Sequence, residues 1–412
     1  MLQATITSNL IENPYRIVKL QYFENLTRYY RFFQLYPHLI ENVLDHFIGV
    51  QGLHNSDPKL RSRVSYLFSR FTKDLKHLLS NFIEKILNTL QDLLIISSPL
   101  LQQQEGPLSS EDQLFLYETV SVLIVSSNLE PKAKAQLMKS LLSPVVGCFS
   151  DLLNKYCNID KTSNAIHQNQ AGDEDEKLIY AKSLNTAMQV ASRVSKGFSL
   201  QIKLKDCECV DIFLEVLRIF MPVINITTHK HLLHAGFRQY LHRMIVCVDN
   251  EITEYFPLTI EHLLKQKNIE PKDLYDLIPL LNQILNKYKQ QTVGFIQSIL
   301  MQFINLTLNF LNLLPTDIAS NLFKSPHLLM TPGATTELKS SLPASTDTTK
   351  PLTINNNIQN FSSFNTSLLT ASSNQIDPQF VLDTQFLYKS CVQFLLNIAN
   401  NDLTDIVTNQ VV

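Results

Sequence analysis

The sequence predicts an all-α protein, an α-solenoid of HEAT-like helical hairpins wound into a curved superhelix. Three observations predict it. Apolar residues recur with helical periodicity from Tyr15 to Leu314, in runs of roughly 15 to 20 residues. Breaks at Pro37, Pro58, Pro131, Pro257 and Pro271 separate the runs, which pair into hairpins over 15–49, 58–97, 111–157, 177–225, 229–266 and 271–314. Several of these repeat at about 40 to 47 residues, the period of HEAT and armadillo arrays. Nine glycines and no tryptophan leave too few turn signals for a β-sandwich or barrel. A helical hairpin cannot bury its apolar face alone, so the hairpins must stack.

The second hairpin shows the pattern most clearly. Leu60, Val64, Leu67, Phe68, Phe71, Leu75 and Leu78 form one stripe at spacings near 3.6 residues. Pro58 suits the first helical turn, where a missing N–H costs nothing, and Asp57 before it is the expected N-cap. Ser109 or Ser110 is expected to cap the third hairpin, with Glu111 and Asp112 at the positive end of the helix dipole. The polar stretch 158–176, ending in Asp173, Glu174, Asp175 and Glu176, reads as a surface loop. Phe295 to Leu314 is the most apolar helix, yet Gln297, Gln302, Asn305 and Asn309 interrupt it, so it reads as a buried helix and not a membrane span. A tract rich in Ser, Thr and Asn from Thr331 to Gln375 lacks the apolar surface to offset the entropy of ordering. Helical pattern returns at Pro378 to Asn400. The expected organisation is therefore a repeat array over 1–325, a low-complexity disordered insertion over 326–376, and a truncated helical continuation over 377–412.

With 45% hydrophobic residues the chain can bury a sizeable core, and a net charge of -2 supplies no global field toward nucleic acid or anionic membrane. Any such binding must be local. Six cysteines without the paired short spacings of a zinc site or a secreted disulfide scaffold point to a reducing compartment, and Met1 to Asn13 carries no secretory signal pattern.

Enzyme chemistry finds little support. Phosphate-cradling loops need clustered glycines, and the nearest approach is the pair Gly49 and Gly52. His229, His231, His234 and His242 share one predicted helix without a HExxH pattern or an evident third ligand. Cys207 and Cys209 would diverge at helical spacing, and no second pair completes a zinc site. The acidic run lies in a polar stretch with no apolar pocket to raise a carboxyl pKa. No catalytic residue, metal or cofactor is expected.

Basic residues carry the remaining signal. Arg63, Tyr66, Arg70 and Lys73, at i, i+3, i+7 and i+10, line a helix flank beside the apolar stripe, and Arg63 and Arg70 lie about 10 Å apart along the axis. Arg193 with Lys196 forms another cluster, and Arg238 shares a polar face with His231 and His242. On charge and helical position, Arg61, Arg63, Arg70, Lys73, Arg193, Lys196, Arg238 and Arg243 are the candidate phosphate contacts.

Several blocks carry a resemblance: RSRVSYLFSRF from Arg61 to Phe71, FIEKILNTLQDLL from Phe82 to Leu94, DQLFLYETVSVLI from Asp112 to Ile124, LHRMIVC from Leu241 to Cys247, and DLIPLLNQI from Asp276 to Ile284. They resemble exportin-T, the tRNA exportin family of the importin-β (karyopherin) superfamily, from about Tyr22 to Pro315 and again from Tyr388 to Gln410. The resemblance implies binding of mature tRNA together with the GTP form of Ran, passage past nuclear-pore Phe-Gly repeats, and shuttling between nucleus and cytoplasm. It implies recognition of tRNA by backbone shape, as A-form RNA requires. It also places the chain in the central part of the family chain, after the N-terminal repeats that carry the main Ran surface. The other reading the sequence leaves open is a HEAT scaffold or karyopherin that carries protein cargo without RNA.

Overall fold

The structure is a computed structural model that describes residues 2–96, 108–163, 170–199, 201–266, 268–316, 318–319, 322, 377–401 and 403. The described residues fall into two compact units, Met1–Leu263 and Leu264–Val412. The tract expected over 326–376 lies outside the described residues.

The first unit contains α1 (Leu2–Thr7), α2 (Arg16–Arg28), α3 (Arg31–Leu35), α4 (Ile40–Ile48), α5 (Pro58–Leu79) and α6 (Ile83–Leu90). It continues with α7 (Ser110–Ser126), α8 (Pro131–Ser163), α9 (Gln170–Val194), α10 (Val210–Phe220), α11 (Lys230–Cys247) and α12 (Tyr255–Leu264). Among the described residues there is no strand, as an all-α solenoid requires. The packing has the logic of a two-layer repeat. In one layer α2 packs on α5, α5 on α7, α7 on α9 and α9 on α11; in the other α4 packs on α6 and α8 on α10. Each layer is closed by the next hairpin, because one amphipathic helix pair leaves apolar surface open.

Local chemistry explains the helix starts. The Asp57 carboxylate accepts from the Lys59 amide at 2.9 Å, and Pro58 occupies the first turn of α5. Ser109 caps α7, accepting from the Asp112 amide at 3.2 Å, while Asp112 accepts from Ser62 of α5 at 2.9 Å. The α5 stripe meets an aromatic core: Phe47 stacks on Phe71 at 4.9 Å, and Phe33 meets Phe71 edge-on at 5.4 Å. The stripe is buried as predicted through Leu75, where φ −119° and ψ 16° kink the helix. The kink shifts the phase, so Leu79 enters the core where regular periodicity would have placed Leu78.

Four expectations need correction. The stretch 158–176 is largely helical, since α8 runs to Ser163 and α9 starts at Gln170, so Glu174 and Asp175 are exposed residues of a helix. Glu174 there pairs with the buried Lys177 at 3.2 Å. His229 is not on α11 but precedes it at φ 55°, with its ring facing the Tyr156 hydroxyl. Cys207 and Cys209 are not at helical spacing either: Glu208, at φ 52°, turns the chain between them, and Cys209 is the N-cap of α10. Burial, reinforced by Cys207, pushes the Cys209 thiol up to about 12. The apolar helix near Phe295, expected to be buried, keeps part of its apolar surface exposed.

The second unit contains α13 (Pro271–Tyr288), α14 (Val293–Asn312) and α15 (Pro378–Asn400). By length and hydropathy alone, Pro271–Asn312 would suffice to cross a membrane. Lys289, at φ 44°, divides it into two helices, and α15 packs against both. Asn397 donates to Asn282 at 2.8 Å and Asn401 to Asn286 at 3.1 Å, pinning α15 to α13 at two successive turns. α14 buries Ile296, Ile299, Leu300, Phe303 and Leu311 but leaves Met301 and Leu308 exposed.

Candidate nucleic-acid interface

Five charged side chains meet where successive helices of the first layer lie side by side. Glu118 stands in the middle of α7, a helix held between α5 and α9, and its side chain is only 8% exposed. Both carboxylate oxygens are engaged. Lys73 of α5 donates from Nζ to Oε1 at 2.7 Å, and Arg193 of α9 donates from Nη1 to Oε2 at 3.0 Å. Lys196 follows directly, exposed on a 3-10 turn, Ser195–Gly197. Arg243 of α11 clamps that turn, donating from Nε to the Ser195 hydroxyl and from Nη2 to the Ser195 carbonyl, both at 3.0 Å.

The turn is held from the other side by α7. The Ser121 hydroxyl donates to the Val194 carbonyl, and Gly197 lies so close that a Cβ there would stand 2.3 Å from Ser121 Oγ and 2.9 Å from its carbonyl oxygen. A close approach of this kind admits only glycine. The result is a row of cations, one from each of α5, α9 and α11 and one from the turn, around a single acid of α7.

The electrostatics follow from that arrangement. Burial acts first on Glu118 and would raise its pKa, but the hydrogen bonds and charges of Lys73 and Arg193, with the charge of Lys196, outweigh it and hold the carboxyl below its usual range. Lys196 is shifted down, by burial first and then by Arg193, with Arg243 and Lys73 acting in the same direction and Glu118 alone opposing. Lys73, Arg193 and Lys196 thus act on one acid, which Lys73 and Arg193 occupy, and Arg243 stands near Lys196, so among the described residues of the cluster positive charge exceeds negative by three. Such a site is complementary to phosphate oxygens.

The remaining candidates lie elsewhere. Arg61 donates to the carbonyls of Asn55 and Ser56, bracing the loop before α5. Arg63 pairs with Glu24 at 2.9 Å and lies over the Tyr66 ring, 5.2 Å from its centroid. Arg70 is exposed one turn from Asp74, whose pKa rises through burial against the opposing pull of Arg70. Arg238 is 9% exposed, on the side of α11 that also buries His234 and Lys230. Sequence reasoning therefore named the four cations of the row but not that they converge, and it missed Glu118. The available signal was an isolated carboxylate in the apolar run Leu114 to Val125.

The family model described as Exportin-T matches residues 1–317. The chain belongs to the Exportin-T family. It is 40% identical over 305 residues to Exportin-T of Mus musculus and, equally, of Homo sapiens, matches that cover 74% of this chain and 30% of each relative. Exportin-T of Arabidopsis thaliana is 23% identical over 318 residues, covering 77% of this chain and 30% of the relative. The chain thus spans under a third of the length of these Exportin-T relatives, and all five residues of the row lie within the matched segment.

Proposed function

We propose that this chain acts as the tRNA-holding part of a nuclear export receptor, and that Lys73, Arg193, Lys196 and Arg243 contact phosphates of the tRNA backbone. The observation that carries this reading is the excess of positive charge on four adjoining elements around one buried acid, in a chain of the Exportin-T family. Placement on helices and a clamped turn suits recognition of a folded backbone, because it fixes where phosphates can sit without reading bases. In this reading the chain is a carrier and not an enzyme; it works with the GTP form of Ran, meets Phe-Gly repeats in the pore, and shuttles between nucleus and cytoplasm. Arg61, Arg63 and Arg70 remain secondary contacts in the same proposal, behind the row; Arg238, buried on α11, is left out of it.

The test is the affinity of the purified chain for mature tRNA across a salt series, with and without GTP-loaded Ran. Replacing Lys73, Arg193, Lys196 and Arg243 together by Ala should flatten the slope of log affinity against log salt by about three and a half, slightly under one for each phosphate no longer neutralised. Equal slopes for the two proteins would remove the row from the RNA interface. Folded chain that binds no tRNA at all would favour a carrier of protein cargo.

A further inference from the structure

We propose that Glu118 is a specificity-determining positioning residue: it fixes Lys73 and Arg193 so that the row discriminates in favour of folded RNA over flexible polyanions. The inference rests on the tRNA reading above and deepens it.

Charge alone gives no reason for an acid at this place. A row that served only to attract phosphate would bind more strongly without Glu118, because the carboxylate repels the ligand it lies beneath. Yet the acid is built in. It comes from the middle of α7 and is 8% exposed, and each of its oxygens receives one cation from a different flanking helix. Lys73, 50% exposed, and Arg193, 33% exposed, would otherwise be long side chains free to sample many rotamers. Bound to Glu118 they are ordered before any ligand arrives, and each retains N–H groups that the acid does not use. Among the described residues Lys196 has no such acceptor; it stands near Arg193 and Arg243 on the clamped turn. The arrangement thus separates two cations with fixed heads from one that still needs an anion.

Preorganisation favours a ligand whose own phosphates are fixed. Folded RNA cannot adapt its backbone to wandering side chains, so it loses affinity when they must be ordered on binding. A single strand adapts to either arrangement and responds mainly to total charge. Removing the acid should therefore move the two ligands in opposite directions.

The experiment compares the full chain with its Glu118→Gln and Glu118→Asp variants, measuring affinity for mature tRNA and for a length-matched oligouridylate at fixed salt. For Glu118→Gln, tRNA binding should weaken about fivefold while oligouridylate binding holds or tightens about twofold, so the preference falls roughly five- to tenfold. Glu118→Asp keeps the charge but is one methylene too short to hold both partners, and it should lose preference at unchanged salt slope. Helical circular dichroism and the thermal midpoint identify a variant that merely misfolds; Glu118→Asp then decides, and if both variants misfold the acid is structural and the proposal fails. Parallel tightening of both ligands would make Glu118 only a charge brake, and parallel weakening would make it only a structural residue; either overturns the proposal. A wild-type chain without preference for tRNA would overturn the tRNA reading and this inference together, whereas a preference that survives in both variants would overturn this inference alone.

Discussion

At the scale of single residues, Lys196 has the clearest consequence. Its pKa lies below the ordinary lysine value of 10.5, first through burial and then through Arg193, Arg243 and Lys73. A bound phosphate would offset those like charges and raise it again. Binding then takes up a proton at pH values between the lowered free value and the raised bound one. The sign is fixed: tRNA affinity should be level near neutral pH and fall as pH rises through the lowered free value of Lys196, below the ordinary 10.5. Lys196→Arg keeps its charge throughout, so its affinity should stay level across the range in which the wild-type affinity falls. Titrating both proteins at constant ionic strength checks this; identical curves would mean that Lys196 does not face the RNA. For folding, both depressed values make stability rise with pH, although the charged form stabilises at Glu118 and destabilises at Lys196. The depressed Glu118 contributes stability above the ordinary carboxylate range that is lost as pH falls through its folded value, whereas the charged Lys196 costs stability that is recovered as pH rises through its own.

Between residue and layer stands the turn Ser195–Gly197, which converts helix packing into the placement of Lys196. Gly197→Ala would set a Cβ 2.9 Å from the backbone carbonyl of Ser121, which cannot rotate away as a side chain can. The turn or α7 must shift, at an expected cost of about 1–3 kcal/mol in urea unfolding. The shift should also loosen the Arg243 clamp on Ser195, so tRNA affinity should fall in the variant at temperatures where it stays folded. Full affinity in a folded Gly197→Ala chain would show that Lys196 needs no fixed turn. Much of the element level is legible in the sequence. Several hairpin limits, the Asp57 cap, a cap at Ser109 or Ser110 and the helix Pro378–Asn400 follow from periodicity and N-terminal signals. What failed did so for local reasons. Asp173 to Glu176 look like loop because their polar composition masks the helix propensity of Glu and Lys, and Leu79 takes the core position expected of Leu78 because a kink has no sequence mark. Convergence of Lys73, Arg193, Lys196 and Arg243 was illegible because it depends on which helices are neighbours, which no single helical pattern encodes.

At the scale of the whole molecule, charge is distributed unevenly along a chain whose net charge is only -2. Arg243 is the last arginine of the sequence, so every guanidinium lies in the first compact unit. The described residues after Leu264 instead carry amide and apolar contacts, such as the Asn282–Asn397 and Asn286–Asn401 pairs and the Tyr275–Phe386 and Phe303–Phe394 ring contacts. Phosphate recognition favours the planar, permanently charged guanidinium, and the slope of affinity against salt counts the phosphates engaged. A chain ending after Gln266 keeps α12 and all five residues of the row, together with the apolar core that holds them. It should therefore bind tRNA with the same salt slope as the full chain and within about threefold of its affinity, if the row supplies the contacts. Circular dichroism and sedimentation would establish that the shortened chain is folded and monodisperse before binding is compared. A slope reduced by two or more in such a folded chain would place phosphate contacts beyond Gln266, among lysines such as Lys272, Lys287 and Lys289, and would assign recognition to both units instead of the first.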